Sequence, residues 1–259
     1  MPAIELTNLT FRYPASARPV FHEVSLRVEE GECLAVLGPS GCGKSTLLRL
    51  ISGLALPQSG TVSIGGAVVS GPGPGRAIVF QQGGGLFPWK TVRGNVVFAL
   101  RKARPELSRA EACRRAEDAL ARVGLADELH RYPATLSGGM LQRAAIARAL
   151  AMETGLLLLD EPFGALDPRN RKSLQQLLLE LCQTEQKTVV LVTHDVDEAI
   201  LLADRIAFFQ PGGLKTILPV DADRPRRART LLTSPIACKL RKELIQLFDS
   251  YGEAVEQSL

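Results

Sequence analysis

The segment Gly38-Pro39-Ser40-Gly41-Cys42-Gly43-Lys44-Ser45 constrains this chain more than any other. Ahead of it, Cys33-Leu34-Ala35-Val36-Leu37 reads as a short buried strand; behind it, Thr46-Leu47-Leu48-Arg49-Leu50-Ile51 reads as the first turns of an apolar helix. A glycine-rich loop thus joins a strand to a helix N-terminus, the context in which such a loop binds phosphate. Glycine lets backbone N–H groups turn inward and approach a phosphate closely. The helix start adds N–H donors and a partial positive charge. Lys44 is placed to reach β- and γ-phosphates, and the Ser45 hydroxyl to ligate Mg²⁺.

At 259 residues the chain is one large α/β domain, or a domain with a smaller appendage. A net charge of +4 is mild for this length and gives no reason to expect a nucleic-acid partner. The five cysteines, Cys33, Cys42, Cys113, Cys182 and Cys238, have no close paired spacing, which speaks against a disulfide framework or zinc site and suits a reducing compartment. The N-terminus lacks a basic–apolar–small-residue signal, and no apolar run approaches the roughly twenty residues that span a bilayer.

Residues 3–10 alternate apolar and polar, as a half-exposed strand does. Tyr13 follows; an aromatic there either packs locally or stacks on a nucleobase. Val24 to Val28 and Gly60 to Ile64 read as further strands, with Gly65-Gly66 as a turn. Ala77 to Phe80 reads as a buried strand ending at Gln81-Gln82, and a glutamine there points into the crevice where α/β sheets bind ligands. Leu86-Phe87-Pro88-Trp89 either tucks its rings into the local core or docks a partner. From Thr91 to about Arg122 the pattern is helical, with a capping box at Ser108-Arg109-Ala110-Glu111 and a solvated basic face at Arg109, Arg114, Arg115 and Arg122.

Leu136-Ser137-Gly138-Gly139-Met140-Leu141-Gln142-Arg143 opens a helix whose start, capped by Ser137, makes a second anion site. Gly155 to Leu159 is a buried strand ending in Asp160-Glu161, paired carboxylates with few bland explanations. Asp160 is placed to hold Mg²⁺, and Glu161, turned the other way, to polarise a water against a γ-phosphate. Asp167 precedes the helix-starting Pro168; the helix runs to about Gln183. Thr188 to Val192 is a strand with His194 just past its end, where a γ-phosphate contact competes with a structural role. After a strand at Ile206 to Phe209 the composition shifts. Arg224, Arg226, Arg227 and Arg229 read as a solvated linker before a helix from Pro235 to about Phe248.

Taken in this order, the phosphate loop, the Leu136–Arg143 signature, the Leu156–Glu161 strand, Asp167 and His194 resemble the nucleotide-binding subunit of an ATP-binding-cassette transporter. The resemblance runs from Ile4 to about Phe209. It implies a P-loop NTPase core with a mixed sheet flanked by helices, an antiparallel β subdomain, and a helical subdomain over about 91–150. The ATP-binding domain would then span 1–220, with a basic linker and short helix over 221–259. ATP and Mg²⁺ are the implied cofactors. Tyr13 would stack on adenine, Gly38 to Thr46 would cradle the phosphates, and Ser45, Asp160 and Gln81 or Gln82 would hold the metal. Glu161 would be the general base and His194 would contact the γ-phosphate. Ser137, Gly138 and Gly139 would bind ATP held by a second copy, and Asp167 would link the two sites of a head-to-tail homodimer. The family's loop glutamine follows the strand end directly, which suits Gln81, and lies six residues before the docking-loop proline, which suits Gln82.

Leu86 to Trp89, the Pro162–Asp167 run and the basic tail resemble bacterial importers of nitrate, sulfonates and taurine. Such importers imply separate membrane permease subunits, an external substrate-binding protein, and a peripheral place on the cytoplasmic face of the membrane. A non-transport cassette ATPase acting on nucleic acid or ribosomes is the rival, disfavoured by the single set of motifs and the absence of a sustained heptad run.

Overall fold

The computed structural model describes residues 3–14, 16, 18–81 and 85–256. Two compact units emerge, 1–72 with 179–259, and 73–178. The first unit starts with β1 (Ile4–Phe11), β2 (Phe21–Val28), β3 (Cys33–Leu37), α1 (Lys44–Ser52), β4 (Ser59–Ile64) and β5 (Ala67–Val68). β2, β1, β4 and β5 lie side by side as an antiparallel sheet. In β1 the inward residues are Ile4, Leu6, Leu9 and Phe11. The strict two-residue period breaks because the register against β2 shifts between Leu6 and Leu9, with Asn8 at φ 47°. That bulge turns the polar Asn8 out and Leu9 in.

The second unit holds β6 (Arg76–Val79), α2 (Val92–Ala103), α3 (Arg109–Arg122), α4 (Gly138–Ala151), β7 (Leu156–Asp160) and α5 (Pro168–Thr184), whose last turns run into the first unit. β6 pairs in parallel with β7. The helical stretch expected from Thr91 to about Arg122, with its capping box at Ser108, is two helices that part at Pro105. Pro105 has no N–H and drives the residue before it out of the helical region, and Arg104 sits at φ −133°, ψ 75°. α3 restarts on the Ser108 hydroxyl, which accepts the Glu111 N–H at 3.1 Å. Glu111 pairs with Arg114 and Arg115, which hold its carboxyl down at about 2.

The chain returns to the first unit with β8 (Thr188–Val192), α6 (Val196–Leu202), β9 (Arg205–Gln210), β10 (Gly213–Pro219), α7 (Ala228–Leu231) and α8 (Pro235–Glu256). β3 is parallel to β8 on one side and β9 on the other, and β10 closes antiparallel on β9. Both β3 and β8 are buried along their whole length, which explains their unbroken apolar runs. The antiparallel and mixed sheets with covering helices make the fold α/β.

Two of the four arginines expected to form a solvated linker, Arg224 and Arg226, are docked instead, while Arg227 is exposed as expected. The Arg226 side chain is 2% exposed and donates to the carbonyls of Ala203, Val220 and Ala222. Arg224 grips the Asp204 carboxylate at 2.7 Å, and that carboxylate also accepts the Cys33 N–H at 2.9 Å. A run of cations reads as solvated in a sequence. Here two of its members satisfy backbone carbonyls and a carboxylate supplied by distant strand ends. Among the described residues no helix is long and apolar enough to cross a membrane.

Candidate active site

The phosphate loop runs from the end of β3 to the start of α1, and its glycines are required by the chain itself. A Cβ on Gly38 would lie 2.1 Å from the Phe209 carbonyl oxygen, and one on Gly43, at φ 104°, would lie 2.5 Å from Val20. Gly43 is also the N-cap of α1, which no side chain caps. The first N–H groups of that helix therefore point toward whatever the loop encloses. Lys44 Nζ donates to the carbonyls of Gly38 and Pro39 at 2.8 and 2.9 Å, so its ammonium is held inside the loop. Ser40, Gly41 and Ser45 are exposed, while Cys42 is buried and its thiol is pushed up by that burial. Tyr13 stands edge-on to Phe11 at 5.0 Å, and its hydroxyl hydrogen-bonds the Thr46 hydroxyl at 3.1 Å, which brings Tyr13 to the loop's helix.

His194 is exposed on the turn between β8 and α6. On one side of it the buried Thr193 hydroxyl donates to the buried Glu198 carboxylate at 2.6 Å and accepts the Asp195 N–H at 3.1 Å. On the other side the Asp195 carboxylate caps α6, accepting the N–H groups of Asp197 and Glu198.

In the second unit Asp160 ends β7 and is only 6% exposed. Glu161 follows at φ 46°, a left-handed conformation that a glutamate takes only where the surroundings impose it. Gln81 Nε2 donates to Glu161 Oε2 at 2.8 Å, so the glutamine at the β6 end meets the second carboxylate directly. Gln82 lies outside the described residues. Ser137 caps α4 by accepting the Met140 N–H at 3.3 Å, and Ser137 and Gly138 are exposed. Gly139 is set against the 165–166 turn, where a Cβ would meet the Ala165 carbonyl at 3.2 Å. Asp167 caps α5: its carboxylate accepts the N–H groups of Arg169 and Asn170 and the Asn170 amide, which hold its pKa below the usual aspartate value.

The loop before α2 presents Trp89 with 70% of its surface exposed, over a cluster in which the Phe87 ring touches both Trp89 and Phe98. Asn95, fully buried, anchors that loop. It accepts the Phe87 N–H at 2.6 Å and donates to the carbonyls of Phe87, Lys90 and Thr91. Nothing in the sequence marks this asparagine beyond its polarity on an otherwise apolar helix face.

Each unit carries groups whose chemistry suits a nucleotide or its metal. An uncapped helix start and an ammonium suit phosphate oxygens. The Ser45 hydroxyl in the first unit, and the Asp160 carboxylate and Gln81 amide oxygen in the second, are each a hard oxygen of the kind Mg²⁺ takes.

Residues 21–164 match the family model described as ABC transporter. The nitrate import ATP-binding protein NrtD of Synechococcus elongatus is 44% identical over 239 residues, covering 91% of this chain and 87% of the relative. The taurine import ATP-binding protein TauB of Chromobacterium violaceum is 45% identical over 252 residues, 95% of each chain.

This chain belongs to the ABC transporter family. Within it the chain is an ATP-binding ATPase. A solved dimeric, post-hydrolysis state of an ATP-binding cassette bound to ADP and Pi superimposes with a TM-score of 0.79 at 33% identity, covering 85% of this ABC ATPase and all of the solved chain. Some relatives are longer. The chain spans 34% of a bicarbonate transport ATP-binding protein from Synechococcus elongatus, to which it is 48% identical over 225 residues. In this ABC ATPase the sequence did not reveal Asn95 or the Thr193–Glu198 pair, because each acts through contacts that no local pattern encodes.

Proposed function

We propose that this ATPase works as a head-to-tail dimer on the cytoplasmic face of a membrane, driving import of a small anionic or zwitterionic solute such as nitrate, a sulfonate or taurine. The relatives named for nitrate and taurine import, matched over nearly their whole length, support the solute class. A separate permease would take the stroke, and an external binding protein would deliver the solute. The Trp89 loop is the surface offered to that permease, held in shape by Asn95.

The observation that carries the mechanism is the Glu161 turn with its Gln81 contact. The N–H groups from Gly38 to Thr46 would bind the phosphates, with Lys44 moving from the loop carbonyls to the β- and γ-phosphates. Tyr13 would cover the adenine. Ser45, Asp160 and Gln81 would hold Mg²⁺, which supplies charge neutralisation at the β- and γ-phosphate oxygens. Glu161 would take a proton from the attacking water as the water adds to the γ-phosphorus and ADP leaves. His194 would hydrogen-bond the γ-phosphate. Across the dimer, Ser137, Gly138 and Gly139 would close on the partner's ATP, and Asp167 would tie the two sites together. Gly138 supports this. A Cβ there would meet nothing nearer than Ala165 at 4.0 Å, so its own chain gives no reason for a glycine.

Glu161→Gln tests the reading. It should bind ATP, accumulate as a dimer in light scattering, and lose turnover by about a thousandfold. Parental turnover would remove Glu161 from the role of base. Lys44→Ala should lose nucleotide binding in the same assay.

A further inference from the structure

The C-terminal residues do something the mechanism above leaves out. α6 carries the turn that presents His194, yet it has only seven residues, too few to hold itself. Its first turn is gripped from outside. Arg241 on α8 donates from Nε to Asp197 Oδ1 at 2.6 Å, and from Nη2 to the Leu232 carbonyl at 2.8 Å. Asp197 is the residue whose N–H the Asp195 cap accepts, three positions past His194.

α8 is itself fixed by one stripe. Ala237, Leu240 and Leu244 are buried, and Arg241 and Phe248 recur along the same three-to-four spacing. The Phe248 ring stands edge-on to Phe208 of β9 at 4.9 Å. The next residue of β9, Phe209, is the one whose carbonyl backs Gly38. One helix therefore touches the strand behind the phosphate loop and the helix in front of which His194 sits.

We propose that α8 is a strut for the His194 turn, with Arg241 as a positioning residue that sets where the imidazole stands. This rests on the reading of His194 as a γ-phosphate contact. The argument is geometric. The Thr193–Glu198 and Asp195 bonds make the turn and α6 a single piece, so the His194 position follows α6. The link that can be removed without opening the core is Arg241–Asp197, whose side chains are 30% and 48% exposed. Because it is partly solvated, its effect is modest.

The test is steady-state ATPase on the full chain with Arg241→Ala, Asp197→Asn, their double variant, Arg241→Lys and His194→Ala, alongside far-UV circular dichroism. His194→Ala should lower kcat by about a hundredfold. Arg241→Ala and Asp197→Asn should each lower kcat by about three- to tenfold with KM for ATP unchanged. The double variant should be no worse than either single one, and Arg241→Lys should recover most of the loss. Parental kcat in both single variants, beside an inactive His194→Ala, overturns the strut while leaving the role of His194 intact. Parental turnover in His194→Ala overturns the underlying reading. Additive losses, or a rise in KM matching the fall in kcat, would show that Arg241 acts elsewhere. Asp197→Asn keeps the backbone cap and the shape of the side chain, so it reports on the link even where Arg241→Ala fails to fold.

Discussion

The molecule contains two glycine-rich helix starts, and they are built in opposite ways. At α1 the N-cap is a glycine, no side chain caps the helix, and Gly38 and Gly43 stand where a Cβ would collide with the chain's own atoms. At α4 a serine caps the helix, and Gly138 stands exposed where a Cβ would make only an ordinary contact with Ala165 at 4.0 Å. The first start is demanded by its own fold; the second has a glycine that its fold does not ask for. A glycine in a helix costs up to about 1 kcal/mol relative to alanine. One that no local contact requires points to close approach by something outside the chain. The phosphate binding proposed at α1 thus needs only the monomer's own geometry, while the role proposed for the α4 start needs a second body.

Gly38→Ala puts the first half of that comparison at greatest risk. Its Cβ would lie 2.1 Å from a backbone oxygen of the adjacent strand, which has no rotamer to yield. The expected loss is about 3 kcal/mol or more of stability, together with ATP binding. Thermal unfolding and nucleotide titration measure the two losses. A variant that melts near the parent temperature and still binds ATP would show that β9 gives way, and that the loop is less self-determined than its geometry says.

Ser137→Ala probes the other start at an intermediate level. The hydroxyl accepts the Met140 N–H at 3.3 Å, a long bond, and its loss should cost about 1 kcal/mol. Thermal unfolding should show that fall with cooperativity intact. A cost as large as that of Gly38→Ala would mean that α4 depends on its cap as strongly as the phosphate loop depends on its glycines.

The legibility of these regions in the sequence follows the same division. The phosphate loop could be read because strand, glycines and helix are contiguous and each has a local reason to be what it is. β3, β8 and the cap at Ser108 were readable on the same ground. β10 was not, since Gly212-Gly213, the exposed Lys215 and the half-buried Thr216 carry no two-residue alternation, and the strand exists because β9 offers an edge. The burial of Arg226 was equally hidden, because its acceptors at 203, 220 and 222 become acceptors only once two strand ends converge. Asn95 belongs with these cases, as does Arg241 on Asp197, a pair 44 residues apart in the chain. The break at Pro105 was legible in part, since the capping box at Ser108 marked where the second helix starts.

The smallest structural effect belongs to the most discriminating variant, Gly138→Ala. At the first position of α4 an added methyl relieves the conformational cost of glycine, and its nearest neighbour is a methyl group 4.0 Å away, ordinary contact distance. The melting temperature should hold or rise, by no more than about 1 kcal/mol of stability. Turnover should nonetheless fall by about tenfold or more, because in the proposed dimer the same methyl would stand between the α4 N–H groups and a phosphate oxygen brought by a second copy. Gly139→Ala is the wrong probe, since its Cβ would press on the Ala165 carbonyl at 3.2 Å and confuse the two effects. The two outcomes for Gly138→Ala separate cleanly. If stability holds and turnover falls, the glycine serves a partner. If stability falls as it does for Gly38→Ala, the glycine serves its own chain and the contrast between the two helix starts disappears. If neither changes, the signature start meets no phosphate, and the dimer must close on other residues.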